Sequence, residues 1–213
     1  MKIKYRIHPI FSDLIPAALS ACDGILFDSR ASCPYCGSNL TGFDTKTKHF
    51  ADVIEGNRKK NITVEIKRFR CNGCRAVIYA NQPFYSNTRV GSPVVDLCVT
   101  LSARMPYTRA SKVLRQIGVI VDRWSVRNYA MKDLREIPTT QQYGIILPVS
   151  IISLATLASD TSKSSSIEAS EVLSACNYPS ELKRSDCVGK TLRYLLTGLL
   201  SEIFIFTSFY SIS

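Results

Sequence analysis

The sequence predicts an α+β protein in which a small antiparallel sheet precedes three short helices and a poorly defined apolar C-terminal segment. Three observations predict it. Residues 62–70 alternate, with Ile62, Val64 and Ile66 set against Thr63, Glu65 and Lys67, the period of a half-buried strand. Two Cys-x-x-Cys pairs, Cys33/Cys36 and Cys71/Cys74, bracket that strand. From Ser92 to Lys132 the apolar period turns helical, with breaks at Met105-Pro106 and Gly118.

The cysteine pairs dictate the chemistry of the first part. Each stands in a turn with glycine at hand, in Cys33-Pro34-Tyr35-Cys36-Gly37-Ser38 and in Cys71-Asn72-Gly73-Cys74. The two-residue gap lets both thiolates of a pair reach one ion, and glycine admits the left-handed backbone that frees amides for the sulfurs. Four such ligands predict one structural Zn²⁺ ion in a closed tetrahedral site. A redox dithiol or a disulfide is the alternative for a single pair; two pairs flanking a strand favour metal. Residues 37–70, 34 in all, exceed the roughly 15–20 of the usual spacing, so the interval must contain strands. Ala76–Ala80 reads as the last of them. His49 lies in the interval, but four cysteines already complete a site.

Ahead of this unit, residues 2–8 alternate like a strand, and Ser12 or Asp13 is placed to cap a helix from Leu14 to Cys22 with Pro16 in its first turn. After it, Ser92 with Pro93 opens a helix whose stripe is Val94, Val95, Leu97, Cys98 and Leu101. Thr108 caps a second, with Ala110, Val113, Leu114 and Ile117 inward. Asp122 caps a third, from Arg123 to about Lys132, with Trp124, Val126 and Tyr129 available for packing. Pro138–Gln142 is linker-like, Val149–Ala158 is an apolar run, and Ser159–Ser166 is serine-rich. Ile167–Cys176 suits a short amphipathic helix. Residues 194–213 are apolar, with Glu202 as their one charge; a central carboxylate makes membrane insertion the less favoured reading. The expected organisation is an extension (1–29), a cysteine-bound sheet (30–82), a helical unit (88–135) and a downstream remnant (136–213).

Charge points to a polyanion. The net charge is +10, unevenly placed. Residues 51–90 carry 8 basic and 3 acidic side chains and residues 91–136 carry 8 and 4, whereas residues 137–213 carry 5 and 6. Lys67, Arg68 and Arg70 on the strand, with Arg109 and Lys112 on the second helix, are expected to meet phosphates. Arg123, Ser125, Arg127 and Asn128 at the start of the third helix are expected to meet bases. Arginine pairs bidentately with guanine and asparagine with adenine. The absence of a secretory signal and the use of four of eight cysteines for metal predict a reducing, cytoplasmic setting, on the nucleoid when DNA is bound.

The order of these parts resembles the N-terminal region of insertion-sequence transposases, a zinc ribbon followed by a helix-turn-helix. Cys33, Pro34, Cys36, Gly37, Ser38, Arg68, Phe69, Arg70, Cys71, Cys74 and the helical block Ser92–Lys132 carry the likeness, over roughly residues 30–135. The resemblance implies sequence-specific binding of double-stranded DNA at the inverted repeats of a mobile element; self-association is a further expectation. It also implies a downstream domain of ribonuclease-H-like fold whose Asp, Asp and Glu hold two metal ions. Here the sequence departs from the pattern. Asp160 is the one suggestive carboxylate, and residues 161–213, 53 in all, lack the strands that would bring Asp186 or Glu202 to it. No complete catalytic site is expected on this chain, as in a truncated or split transposase. Ribbons followed by helices also occur in basal transcription factors, so a DNA-binding regulator is the alternative.

Overall fold

A computed structural model describes residues 7–134, 136–161 and 167–176, all within one compact unit. The fold class is α+β, with six helices and two sheets among the described residues. In chain order the elements are α1 (Ile10–Ser20), β1 (Leu26–Phe27), β2 (Leu40–Glu55), β3 (Arg58–Cys71), β4 (Val77–Tyr79), α2 (Ser92–Ser102), α3 (Tyr107–Gln116), α4 (Arg123–Ala130), β5 (Thr139–Gln142), β6 (Ile145–Pro148), α5 (Val149–Thr161) and α6 (Ala169–Ala175).

The long β2–β3 hairpin is the frame. Its strands pair antiparallel from Leu40↔Cys71 to Glu55↔Arg58. β1 pairs parallel with β3 at Glu65–Ile66, and β4 continues along the same strand at Arg68–Arg70. The alternation read in β3 holds: Ile62, Val64 and Ile66 are fully buried, and their neighbours are not. Two irregularities interrupt β2, between Gly42 and Asp44 and between His49 and Ala51. The second lets consecutive residues, Phe50 and Ala51, both face the interior.

The two ends of the hairpin have different interiors. At the cysteine end Cys33, Cys71 and Ile78 form a small cluster flanked by Leu40 and Ala76. The turn end joins a much larger core, in which Phe50, Val53, Ile62 and Val64 meet residues of α1 to α6 such as Ile15, Leu97, Leu114 and Leu154. The α3–α4 connection is fastened to this end. Ile54 N–H donates to the Gly118 carbonyl and Ile120 N–H to that of Asp52, with Val119 bridging Val53. Gly118 has φ +80°, and a Cβ there would lie 2.3 Å from Pro16 Cγ and 3.2 Å from the Ser12 carbonyl oxygen. That carbonyl would bond the amide four residues on, which Pro16 lacks. Gly118 thus combines a left-handed backbone with a close approach to α1.

Several boundaries differ from expectation. Helix α1 begins at Ile10 with Pro9 as its cap, so Pro16 lies inside it, because burying Phe11 and Ile15 extends the apolar face backwards. Gly91, pressed on the Phe50 ring, caps α2, and Ser92 is its buried first residue. Pro106 rather than Thr108 precedes α3. Asp122 does cap α4, accepting from the amides of Trp124 and Ser125 at 2.8 and 3.0 Å, but the helix stops at Ala130. Trp124 does not pack: it is 59 % exposed, while Val126 and Tyr129 are buried. The linker-like Pro138–Gln142 contains a strand, β5, turned into β6 through Tyr143 and Gly144, both at positive φ as in a type I′ turn. Its polar side chains mislead because β5 contributes mainly backbone, while Ile145 and Leu147 of β6 supply the buried surface.

The apolar run Val149–Ala158 is helical, and α5 packs on α1 and α6. Asp160 sits, exposed, in its last turn. The short helix expected within Ile167–Cys176 is α6, with Val172 and Leu173 buried. The expected strand at residues 2–8 falls mostly outside the described residues, and the apolar segment 194–213 and Cys187 lie wholly outside them. Among the described residues no helix is long and apolar enough to cross a membrane. One buried polar junction ties the parts: Asp96 on α2 accepts from Tyr85 Oη at 2.6 Å and from Ser150 Oγ on α5 at 2.7 Å.

The cap on α4 has a measurable worth. Replacing Asp122 with alanine is expected to cost about 1 kcal/mol. The Ser125 hydroxyl and amide, with the Trp124 amide, hold the Asp122 carboxyl below its usual range. A depressed folded-state pKa stabilises above the unfolded value of 3.8 and ceases to do so as pH falls through the folded one. The difference between wild type and Asp122→Ala in urea unfolding should therefore be full at neutral pH and shrink in acid.

Candidate metal centre and basic surfaces

The four predicted ligands converge. The Cys33, Cys36, Cys71 and Cys74 sulfurs all lie within 4.8 Å of one another, with Cys33 Sγ 3.7 Å from Cys74 Sγ and Cys36 Sγ 3.4 Å from Cys71 Sγ. Metal–sulfur bonds of ~2.3 Å in a tetrahedron imply edges of ~3.8 Å, so the set is able to hold one metal ion. The first cysteine of each pair is buried and the second exposed.

Two copies of one turn build the cluster. Cys33 N–H donates to the Ser38 carbonyl and Cys71 N–H to that of Ala76, five residues on in each case. Gly37 and Arg75 N–H groups return to the Cys33 and Cys71 carbonyls at 2.9 and 3.1 Å. The residue after each second cysteine is left-handed: Gly37 at φ +71° and Arg75 at φ +59°. Expectation put the second glycine's service at Gly73, and its reason differs. A Cβ on Gly73 would lie 2.4 Å from Ser38 Oγ and 3.3 Å from Cys36 Sγ, so glycine there lets one turn close on the other.

The sulfurs are electrostatically unequal. The Ser38 side chain and amide, then the Cys71 thiol, pull Cys36 down to about 6. The Ala76 amide works the same way on Cys74, but desolvation and the three neighbouring thiols push it up to about 11. Four sulfurs this close ionise together only around a cation. His49 stands apart, its Nε2 3.3 Å from Asp52 Oδ1. Cys22 and Cys98 are buried as free thiols, and Cys176 is buried as well. Burial pushes Cys22 up to about 12 and, with help from Asp122 and Asp96, raises Cys98 further, which makes them inert.

The residues expected to meet DNA fall into two groups. On β3, Arg68 is engaged: its Nε donates to Asp44 Oδ1 at 2.6 Å and Nη2 to Oδ2. Arg70 is exposed, its guanidinium 5.2 Å from the centre of the Phe43 ring, and Lys67 Nζ lies 5.7 Å from that of Phe69. On the helices, Arg109 is half-buried and Lys112 exposed on α3. Arg123, Arg127 and Asn128 are exposed together on α4, which packs against α2 and α3. Ser125 is bound into the cap, its hydroxyl donating to Asp122 Oδ2 at 2.6 Å.

Sequence reasoning missed the aromatic members of both surfaces. Trp124 stands between Arg123 and Arg127, whose guanidinium carbons are 4.9 and 5.9 Å from its ring centre. On the sheet, Arg70, Phe43, Arg68, Tyr79, Lys48 and Phe84 form a chain of cation–ring contacts of 4.8–5.8 Å. The basic and aromatic letters were visible; the strand register that interleaves them was not. The chain matches no known family, no curated protein sequence and no solved structure.

Proposed function

We propose that this chain is a sequence-specific binder of double-stranded DNA, organised as a zinc ribbon and a helix-turn-helix, that recognises the ends of a mobile element as the DNA-binding part of a transposase. The observation that carries the reading is the set Arg123, Arg127 and Asn128, exposed along a helix of 8 residues whose start Asp122 caps. Arg123 is in the first turn, but Arg127 and Asn128, expected near the start, fall towards its end. A helix presented by two others, with guanidinium and amide groups along its exposed face, has the form and chemistry that read base edges in a major groove. The α3–α4 connection, anchored on the β2–β3 hairpin, makes that presentation rigid. Zinc is the metal assigned to the cluster, because four cysteines in a closed tetrahedral set are a common structural zinc site.

Basic groups on β3 and α3 supply the phosphate contacts that position the helix. The zinc is structural, and no complete site for strand cleavage is assigned to this chain. Selection of bound duplexes from a random pool tests the proposal. One recurrent motif is expected, occurring as inverted copies on either side of the coding sequence, and its readout should relax in Arg127→Ala. An unenriched pool would overturn sequence-specific binding; a motif confined to one upstream site would make the protein a regulator.

A further inference from the structure

We propose that the sheet surface around Phe43 is a second nucleic-acid site, which binds single-stranded DNA by stacking an unpaired base on the exposed Phe43 ring, with Arg70 beside it to neutralise the backbone. The inference rests on the nucleic-acid reading above but concerns the sheet surface at Phe43 rather than α4, and a different form of DNA.

The backbone presents Phe43 deliberately. The irregularity of β2 between Gly42 and Asp44 leaves Phe43 without a partner on β3, and such bulges re-aim a side chain. The ring is 48 % exposed and belongs to neither buried cluster. It borders an open depression of about 440 Å³ whose walls include Thr41, Arg70, Asn72 and Arg75. The Asn72 side chain is fixed there by Thr41 Oγ1, which donates to its Oδ1 at 2.8 Å.

Charge selects the occupant. Arg68 and Arg70 lie 5.6 and 5.2 Å from the Phe43 ring centre, and Arg75 and Lys46 are exposed nearby in sequence and register. Asp44 opposes them, but it is bonded to Arg68. Among the described residues Arg70 has no carboxylate within ion-pair distance. A cationic surface suited to phosphates alone has no use for an exposed phenyl ring. Interleaved guanidinium and aromatic groups instead accept flat bases while neutralising the backbone, the design of single-strand binding surfaces. Bases in a duplex have both faces covered by their neighbours, so a strand with an unpaired base is the ligand that fits.

Fluorescence anisotropy of the full-length, zinc-loaded protein tests this with two probes, an oligothymidine of about 12 nucleotides and the duplex selected above. Phe43→Ala is expected to weaken the single strand by about 5- to 150-fold, the worth of one stacked base, and to leave the duplex unchanged. Phe43→Trp should restore binding and Phe43→Leu should not, because stacking needs a π-face rather than apolar bulk. Arg70→Ala provides a second route to the same loss, and unchanged zinc content shows that each variant keeps its fold. Single-strand affinity indifferent to Phe43 and Arg70, or equally supported by leucine, would overturn the site. Oligothymidine left unbound by a protein that binds the duplex would overturn it and spare the proposed function. Failure to bind either probe would remove both.

Discussion

Stripping zinc from the protein, or replacing Cys36 or Cys71 with serine, is expected to unfold the cysteine end of the hairpin while the helices stay folded. Binding to a tetrathiolate site is coupled to folding, with apparent free energies on the order of 10–16 kcal/mol. The local interior explains why so much rests on the ion: Cys33, Cys71 and Ile78, with Leu40 and Ala76 beside them, bury too little to stand alone. The other half of the hairpin belongs to the large core shared with α1–α6, and is expected to hold without the metal. Circular dichroism should therefore retain the helical signal after chelation, with new proteolytic cuts confined to residues near the cysteine turns. Because thiolates are the ligands, protons compete with the ion, and affinity should fall as the pH is lowered. Elemental analysis of reduced protein should find about one equivalent of zinc. Protein that is fully folded at both ends with no metal would refute the assignment.

Salt should weaken DNA binding steeply. Each neutralised phosphate contributes about −0.9 to the slope of log affinity against log salt, so six to ten contacts would lose about 10³–10⁵ between roughly 50 and 200 mM. Arg70→Ala or Lys67→Ala should shallow that slope by about one unit on any sequence. Arg68 is predicted to behave differently, since its guanidinium is already paired with Asp44. Arg68→Ala should change the slope less, and Asp44→Ala should steepen it by releasing Arg68. On α4 the signature is the reverse. Arg127→Ala or Asn128→Ala should cost about 1–3 kcal/mol on the selected duplex and little on random DNA. If substitutions on β3 and α4 weakened both kinds of DNA equally, α4 would not be the reading helix.

What sequence alone determined about this protein is what depends on residues a few positions apart. The two-residue gap of each cysteine pair, the alternation of Ile62, Val64 and Ile66, and the aspartate in front of Arg123 act over one turn or one strand, and each is present in the fold. Tertiary structure decided what depends on surfaces that meet across the chain. Gly91 displaced Ser92 as the cap of α2 because Phe50, on another element, lies against it. Thr139–Gln142 became a strand because Ile145 and Leu147 on the returning strand had a core to enter. Trp124 was left in solvent because Val126 and Tyr129 took the buried positions on a helix of 8 residues. Asp44 and Arg68 are 24 positions apart, and only the register of β2 on β3 makes them partners. The same register, shifted at Gly42, turned Phe43 outward among arginines. A single chain records which charges it carries; strand pairing decides which of them are already satisfied and which stay open to a ligand.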